Sequence, residues 1–187
     1  MTANANIATA EQVLHFWFEE LEWSDWFTKS DKLDARIASR FEATVRAARD
    51  TADLDDWART ADGALALCLV LDQFPRNIWR DRPDAFSGDD KALKIASSAI
   101  DQGFDRNMSA QQRCFFYLPF EHSEDLDMQD RSIALFTDLG HEMYLDYAIK
   151  HRDIIARFGR FPHRNRILGR ETTAEEAAFL KTPGSSF

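Results

Sequence analysis

The residues best equipped for chemistry lie in HRDIIARFGRFPHRNRILGR, positions 151–170, where six arginines, two histidines and an asparagine occur within twenty residues. Residues 1–150 hold 16 Lys+Arg against 28 Asp+Glu, whereas 151–170 hold 6 against 1, a basic island in a chain of net charge −9. A guanidinium stays charged and presents a planar fork of donors, so such a group pairs with carboxylates or waits for an anion. Two further clusters share its punctuation by Phe and Pro: LDQFPRN at 71–77 and PFEHSE at 119–124, beside FGRFPHRN at 158–165. Together they nominate Asp72, Gln73, Arg76, Asn77, Glu121, His122, Glu124, His151, Arg160, His163, Arg164 and Asn165 as binding residues. Arg76, Arg160 and Arg164 are the expected anion contacts, with the histidines and asparagines setting orientation. His122 or His163, aided by Glu121, is the candidate acid or base.

These residues need elements to position them, and nearly every segment carries helical period with no strand-like alternation. Helices are predicted at about 9–21, 30–49, 55–73, 88–102, 109–118, 126–139, 142–158 and 173–180. Ser or Thr caps several of them, and Thr173 with Glu176 forms a capping box. Short connections favour antiparallel neighbours. The helices ending near 73, 118 and 158 then point the same way and bring the three clusters to one polar pole. Asp72, near the negative end of a buried helix, requires a cation, for which Arg76, Arg160 and Arg164 are candidates. Met143, Tyr147, His151, Ile154 and Phe158 form an inward stripe, opposite the solvent-side pairs Asp146/Lys150 and Asp153/Arg157.

At 187 residues, with 44% apolar residues and fifteen phenylalanines, the chain has material for one domain with a substantial core. Residues 1–8 and 181–187 are expected to be poorly ordered. The acidic balance argues against nucleic acid or an anionic membrane as partner. No apolar run approaches membrane length, and the start lacks the character of a secretory signal. Cys68 and Cys114, each within an apolar run, suit buried thiols in a reducing, cytoplasmic setting. Phosphate-cradling glycine loops and HExxH are absent, and Ser123 between His122 and Glu124 is no triad. A metal held by His122, His151 and His163 with Asp72 or Glu121 is disfavoured by the flanking arginines, so neither metal nor cofactor is expected. The aromatic groups HFWF at 15–18 and EWSDWF at 22–27 read as core.

LDQFPRNI, PFEHSE and the 151–170 segment, with HFWF and the closing TTAEEAAFL, resemble a mainly bacterial family known only as a domain of unknown function. The resemblance spans nearly the whole chain and implies an all-α fold of antiparallel helix pairs stacked as a tetratricopeptide-like alpha-alpha superhelix, with about eight helices. It implies no activity, and the tetratricopeptide period is missing from the sequence. Three functions follow from the polar pole. The leading one is a soluble binding protein for a small anionic molecule or peptide end; the others are a hydrolase using His122 or His163, and a helical scaffold whose pole only locks helices together.

Overall fold

The structure, a computed structural model, describes residues 7–185, and among these every regular element is helical. The tails expected to be poorly ordered fall outside that range except for residues 7–8 and 181–185. Within it, Ala8 is buried and its N–H donates to Thr44 Oγ1 at 2.8 Å. The chain forms two compact units, one holding residues up to Arg80 together with Asp84–Pro119, the other Asp81–Pro83 together with residues from Phe120 onward.

The first unit starts with α1 (Ala10–Glu19), whose Thr9 and Gln12 form a reciprocal capping box. It continues through the short α2 (Trp23–Phe27) to α3 (Asp31–Asp50), capped by Ser30, with Leu33, Ile37, Phe41 and Val45 buried at four-residue spacing as their period predicts. The helix expected over 55–73 is subdivided. A 3₁₀ turn at Asp55–Arg59 precedes α4 (Ala61–Cys68), a π segment covers Leu69–Gln73, and α5 (Phe74–Ile78) follows without a break.

Pro75 gives a physical reason for that interruption. It has no N–H to return to the Leu71 carbonyl, so an α-helical ladder cannot pass through it intact. The widened turn instead bonds Phe74 N–H to the Leu69 carbonyl, five residues back. Gly88, just before α6 (Asp89–Asp101), packs its backbone onto the Leu71 carbonyl so closely that a Cβ there would overlap the oxygen. Gly88→Ala is therefore expected to destabilise the protein by about 1–3 kcal/mol, read as a lower urea midpoint with an unchanged slope.

Leu65, Leu67, Leu69, Val70 and Leu71 are fully buried, and α4 packs on α1 and α6. Helix α7 (Ala110–Glu121) begins at the Ser109/Gln112 cap and runs through Pro119, three residues beyond the expected stop at Leu118. Along it, the buried Tyr117 hydroxyl donates to Asp105 Oδ2 at 2.6 Å and accepts from Arg113 Nε at 3.0 Å. Burial and then the Asp105 carboxylate push the Tyr117 phenol well above its usual range, fixing it as a donor.

In the second unit, α8 (Leu126–Leu139) is capped by Asp125, and Gly140, at φ 72°, turns the chain into α9 (Glu142–Phe158), which packs along it. The buried face of α9 is Tyr144, Ala148, His151, Ile154 and Ile155. His151 faces inward, but Tyr147 is 46% exposed because the true stripe is rotated by about one residue towards Tyr144 and Ala148. Asp146 and Lys150 pair at 2.6 Å. Arg157 instead reaches Glu175 at 2.9 Å, and Asp153 lies 3.9 Å from Arg152. After a 3₁₀ turn at Pro162–Arg164 comes α10 (Ala174–Phe179), with the Thr173/Glu176 capping box in place. Phe179 packs with Phe158 on the cluster of Ile154, Ile155 and Phe161.

Candidate functional site

The π segment and α5 turn the first polar cluster inward. Asp72 is 1% exposed, and its carboxylate accepts from the Gln73 side chain. Arg76, one turn on, supplies the cation: Nη1 lies 3.3 Å from Asp72 Oδ1 and donates to the Asp72 carbonyl. The same guanidinium grips Asp89 with a fork of 2.9 and 3.0 Å. Asp89 begins α6, where a carboxylate also meets the positive end of the helix dipole. Burial would lower the Arg76 pKa, but Asp72 and then Asp89 more than offset it and raise it. Asn77 leaves this trio and donates to Asp34 Oδ1 at 2.8 Å, beside a two-pronged Arg80–Asp34 pair. Arg76 is thus held by two carboxylates instead of being kept for an external anion, and Asp34 and Asp89 are partners the sequence reading did not name.

The second unit gathers Glu121, His122, Glu124, His151, His163, Arg164 and Asn165. Phe161, fully buried, is their platform: the His163 ring is 5.5 Å and the His151 ring 5.6 Å from its centroid, and the Arg164 guanidinium lies 4.6 Å over its face. His122 closes the group, 6.2 Å from His151 between rings, with its carbonyl accepting from Arg164 Nη2 at 3.1 Å. Helix geometry explains the inward aim of His151, and the 3₁₀ turn places His163 and Arg164 on consecutive corners beside Phe161.

His151 Nδ1 lies 2.9 Å from the Tyr147 carbonyl and 3.1 Å from Glu121 Oε1, so the proton belongs on Nδ1 and Nε2 becomes the basic nitrogen. Burial, followed by the neighbouring His122, pushes the His151 pKa down to about 3 against the pull of the Tyr147 carbonyl. His163 is pushed down to about 4 by burial and then by Arg164. Both imidazoles are therefore neutral near pH 7.

Glu124 receives Arg170 at 2.7 and 3.0 Å and the Phe161 N–H at 2.8 Å. Burial alone would raise its pKa; the Arg170 and Phe161 bonds hold it below the usual carboxylate range. Arg160, expected as an anion contact, is turned to Glu176 in a fork of 2.7 and 2.9 Å. That fork, with the Thr173 N–H next, pulls Glu176 down to about 2. Asn165 is fully buried, yet among the described residues its Oδ1 has no hydrogen-bond partner. Among the described residues, no three His, Cys, Asp or Glu side chains are grouped to hold a metal ion. None of the helices described is long and apolar enough to cross a membrane.

A family model described as a bacterial protein of unknown function, DUF924, matches residues 13–184. No curated protein matches. Among solved structures, the chain is similar to a protein of unknown function from Agrobacterium tumefaciens, at 44% identity and a TM-score of 0.87, over 92% of this chain and 96% of that one.

Proposed function

Since the chain belongs to the DUF924 family of bacterial proteins of unknown function, we propose its function from the site alone: a cytoplasmic binding protein that holds the carboxylate end of a peptide or a similar small anion. The arrangement about Phe161 carries this reading, with neutral His163, His151 and the Arg164 guanidinium on one platform and an unsatisfied Asn165 Oδ1 in the same turn. Arg164 would take the carboxylate, and His122 and His163 would donate to it. A buried acceptor without a donor costs about 1–3 kcal/mol, so the ligand should also carry an N–H or O–H for Asn165. A peptide terminus offers both groups, which favours it over a bare inorganic anion. Arg164 is preferred to Arg76 and Arg160 because it is the one of the three over the Phe161 ring, while Arg76 lies with Asp72 and Asp89 and Arg160 with Glu176.

The test is a thermal-shift series with inorganic phosphate, citrate and N-acetylated tripeptides with free and amidated C-termini. A ligand at 100 times its Kd adds about 2.7 kcal/mol, a shift of about 5–11 °C at this chain length. The free-carboxylate tripeptide is expected to shift the wild type, and Arg164→Lys and the partly exposed His122→Ala to lose the shift while remaining folded. Equal shifts in wild type and both variants would overturn the reading.

A hydrolase is the second reading, favoured by the 3.1 Å contact between Glu121 and His151. A carboxyl orienting an imidazole is the arrangement a general base needs. It transfers the acid/base role from His122 to His151, and predicts turnover whose pH profile loses its base limb in His151→Gln.

A further inference from the structure

Independently of the histidine cluster, the first unit carries an aromatic surface that its own core does not cover. The group EWSDWF was expected inside, yet Trp23 is 45% and Phe27 52% exposed. Their rings meet at 5.3 Å and 54°, forming one angled face. Trp26 between them is the anchor: its indole N–H donates to the Trp17 carbonyl at 3.0 Å, and its ring meets Phe115 edge-on at 5.1 Å. The face is thereby fixed to the core instead of hanging on a loose loop.

The rest of this unit shows what covers such rings. Arg46 and Arg49 lie over Trp79 at 5.1 and 5.2 Å, and Arg36 and Arg40 over Phe16 at 4.9 and 4.7 Å. Each pair of guanidiniums is also held by an acid, Glu42 and Asp50 in the first case and Glu20 in the second. Trp23 and Phe27 have the acids but not the arginine. Glu19 and Glu22 are exposed and Asp25 partly so; Glu22 and Asp25 form the reciprocal capping box of α2, with Asp25 Oδ2 accepting from the Glu22 N–H at 2.9 Å, and none of the three has an ion pair among the described residues. Aromatic faces attract cations, guanidinium most often, and adjacent carboxylates supply its counter-charge.

We propose that the Trp23/Phe27 face, with the acids Glu19, Glu22 and Asp25 in the same stretch of chain, docks an arginine-bearing segment of a partner protein. A second copy is a poorer occupant because a chain of net charge −9 repels itself. Arginine is preferred to lysine because its planar group stacks on the rings while bonding the carboxylates.

The experiment titrates the full chain with a capped Arg-Gly-Arg-Gly-Arg peptide, following tryptophan fluorescence and calorimetric heat, with the lysine counterpart beside it. Saturable binding is expected, stronger for arginine. Trp23→Ser and Phe27→Ser should each weaken it about threefold and together about tenfold, as exposed cation–aromatic contacts do. Glu19→Gln with Glu22→Gln, which keeps the Asp25 half of the α2 cap, should weaken it further at low salt and less at high salt. Far-ultraviolet circular dichroism on each variant establishes that it folds. If the folded aromatic variants bind like wild type, the contact is only bulk charge and the proposal fails. Self-association of the peptide-free chain that disappears in Trp23→Ser would equally overturn it, by making a second copy the occupant.

Discussion

Replacing Arg76 with alanine is expected to cost about 3–5 kcal/mol, the largest loss from any single ion-pair change in this protein. Its guanidinium is the cation set against Asp72, which is 1% exposed, and it simultaneously grips Asp89. Without it the Asp72 carboxylate keeps the Gln73 amide close by, a dipole where a charge stood. The Asp72 carbonyl also loses the Arg76 bond, so a main-chain acceptor in the π turn is exposed to the same deficit. Asp72→Asn should cost much less, since Arg76 keeps its fork to Asp89. The double change Asp72→Asn with Arg76→Ala should recover part of the Arg76→Ala loss, because no buried charge is then stranded beside Asp72. Urea unfolding of the four proteins gives the coupling energy directly. An Arg76→Ala loss below about 1 kcal/mol would show that the charge on Asp72 is satisfied without Arg76. An anion-contact role for Arg76 makes the opposite prediction, a stable variant with impaired binding.

The difference between those outcomes reflects what the amino-acid pattern could disclose. Helix period and capping residues act over three or four positions, so Thr9, Ser30, Thr173 and the buried row of α3 were legible from neighbours in sequence. Asp72 was legible for a similar reason: a carboxylate near a buried helix end demands a cation, and Arg76 stands one turn away. The partners of the arginines were not, because Asp89, Glu124 and Glu176 lie 13, 46 and 16 residues from Arg76, Arg170 and Arg160. Clustering reported that six arginines needed anions but not that carboxylates elsewhere in the chain would supply several of them. The π turn was hidden too, since an apolar run from Ala64 to Leu71 has no face by which a changed register could be detected. Trp23 and Phe27 failed in the opposite direction. Their apolar character argued for burial, and only the fold shows that Trp26 alone of the three turns into the core. The histidines around Phe161 come from three separate segments, which the shared Phe/Pro punctuation nominated without giving their distances.

Those histidines should make stability fall on acidification from pH 6.5, well before ordinary carboxylates titrate. Folded His151 and His163 bind protons only near pH 3 and 4, whereas an unfolded imidazole binds one near 6.5. Between these limits the unfolded state holds more protons, so stability rises with pH. The contribution is complete above about 6.5 and is lost as pH falls through the folded values. Each group adds a slope of about 1.4 kcal/mol per pH unit where its unfolded form is protonated and its folded form is not. The two together cost several kcal/mol by pH 4, with the half-buried His163 contributing the smaller share. Glu124 and Glu176, both lowered, add their own losses only below the ordinary glutamate value, Glu176 down to about pH 2. The window from 4.5 to 6.5 therefore belongs to the imidazoles. Urea midpoints measured across it should drop steeply in the wild type and flatten in His151→Gln and His163→Gln. Rising stability from pH 6.5 to 5 would mean that the Glu121 carboxylate at 3.1 Å holds His151 protonated as an ion pair, and would reverse the assignment of that proton. The same linkage applies to binding. An anion placed against Arg164 would raise both imidazole pKa values, so ligand uptake should draw protons and tighten as pH falls toward 5. Calorimetry in two buffers of different ionisation enthalpy measures those protons, and none taken up would separate the histidines from the ligand.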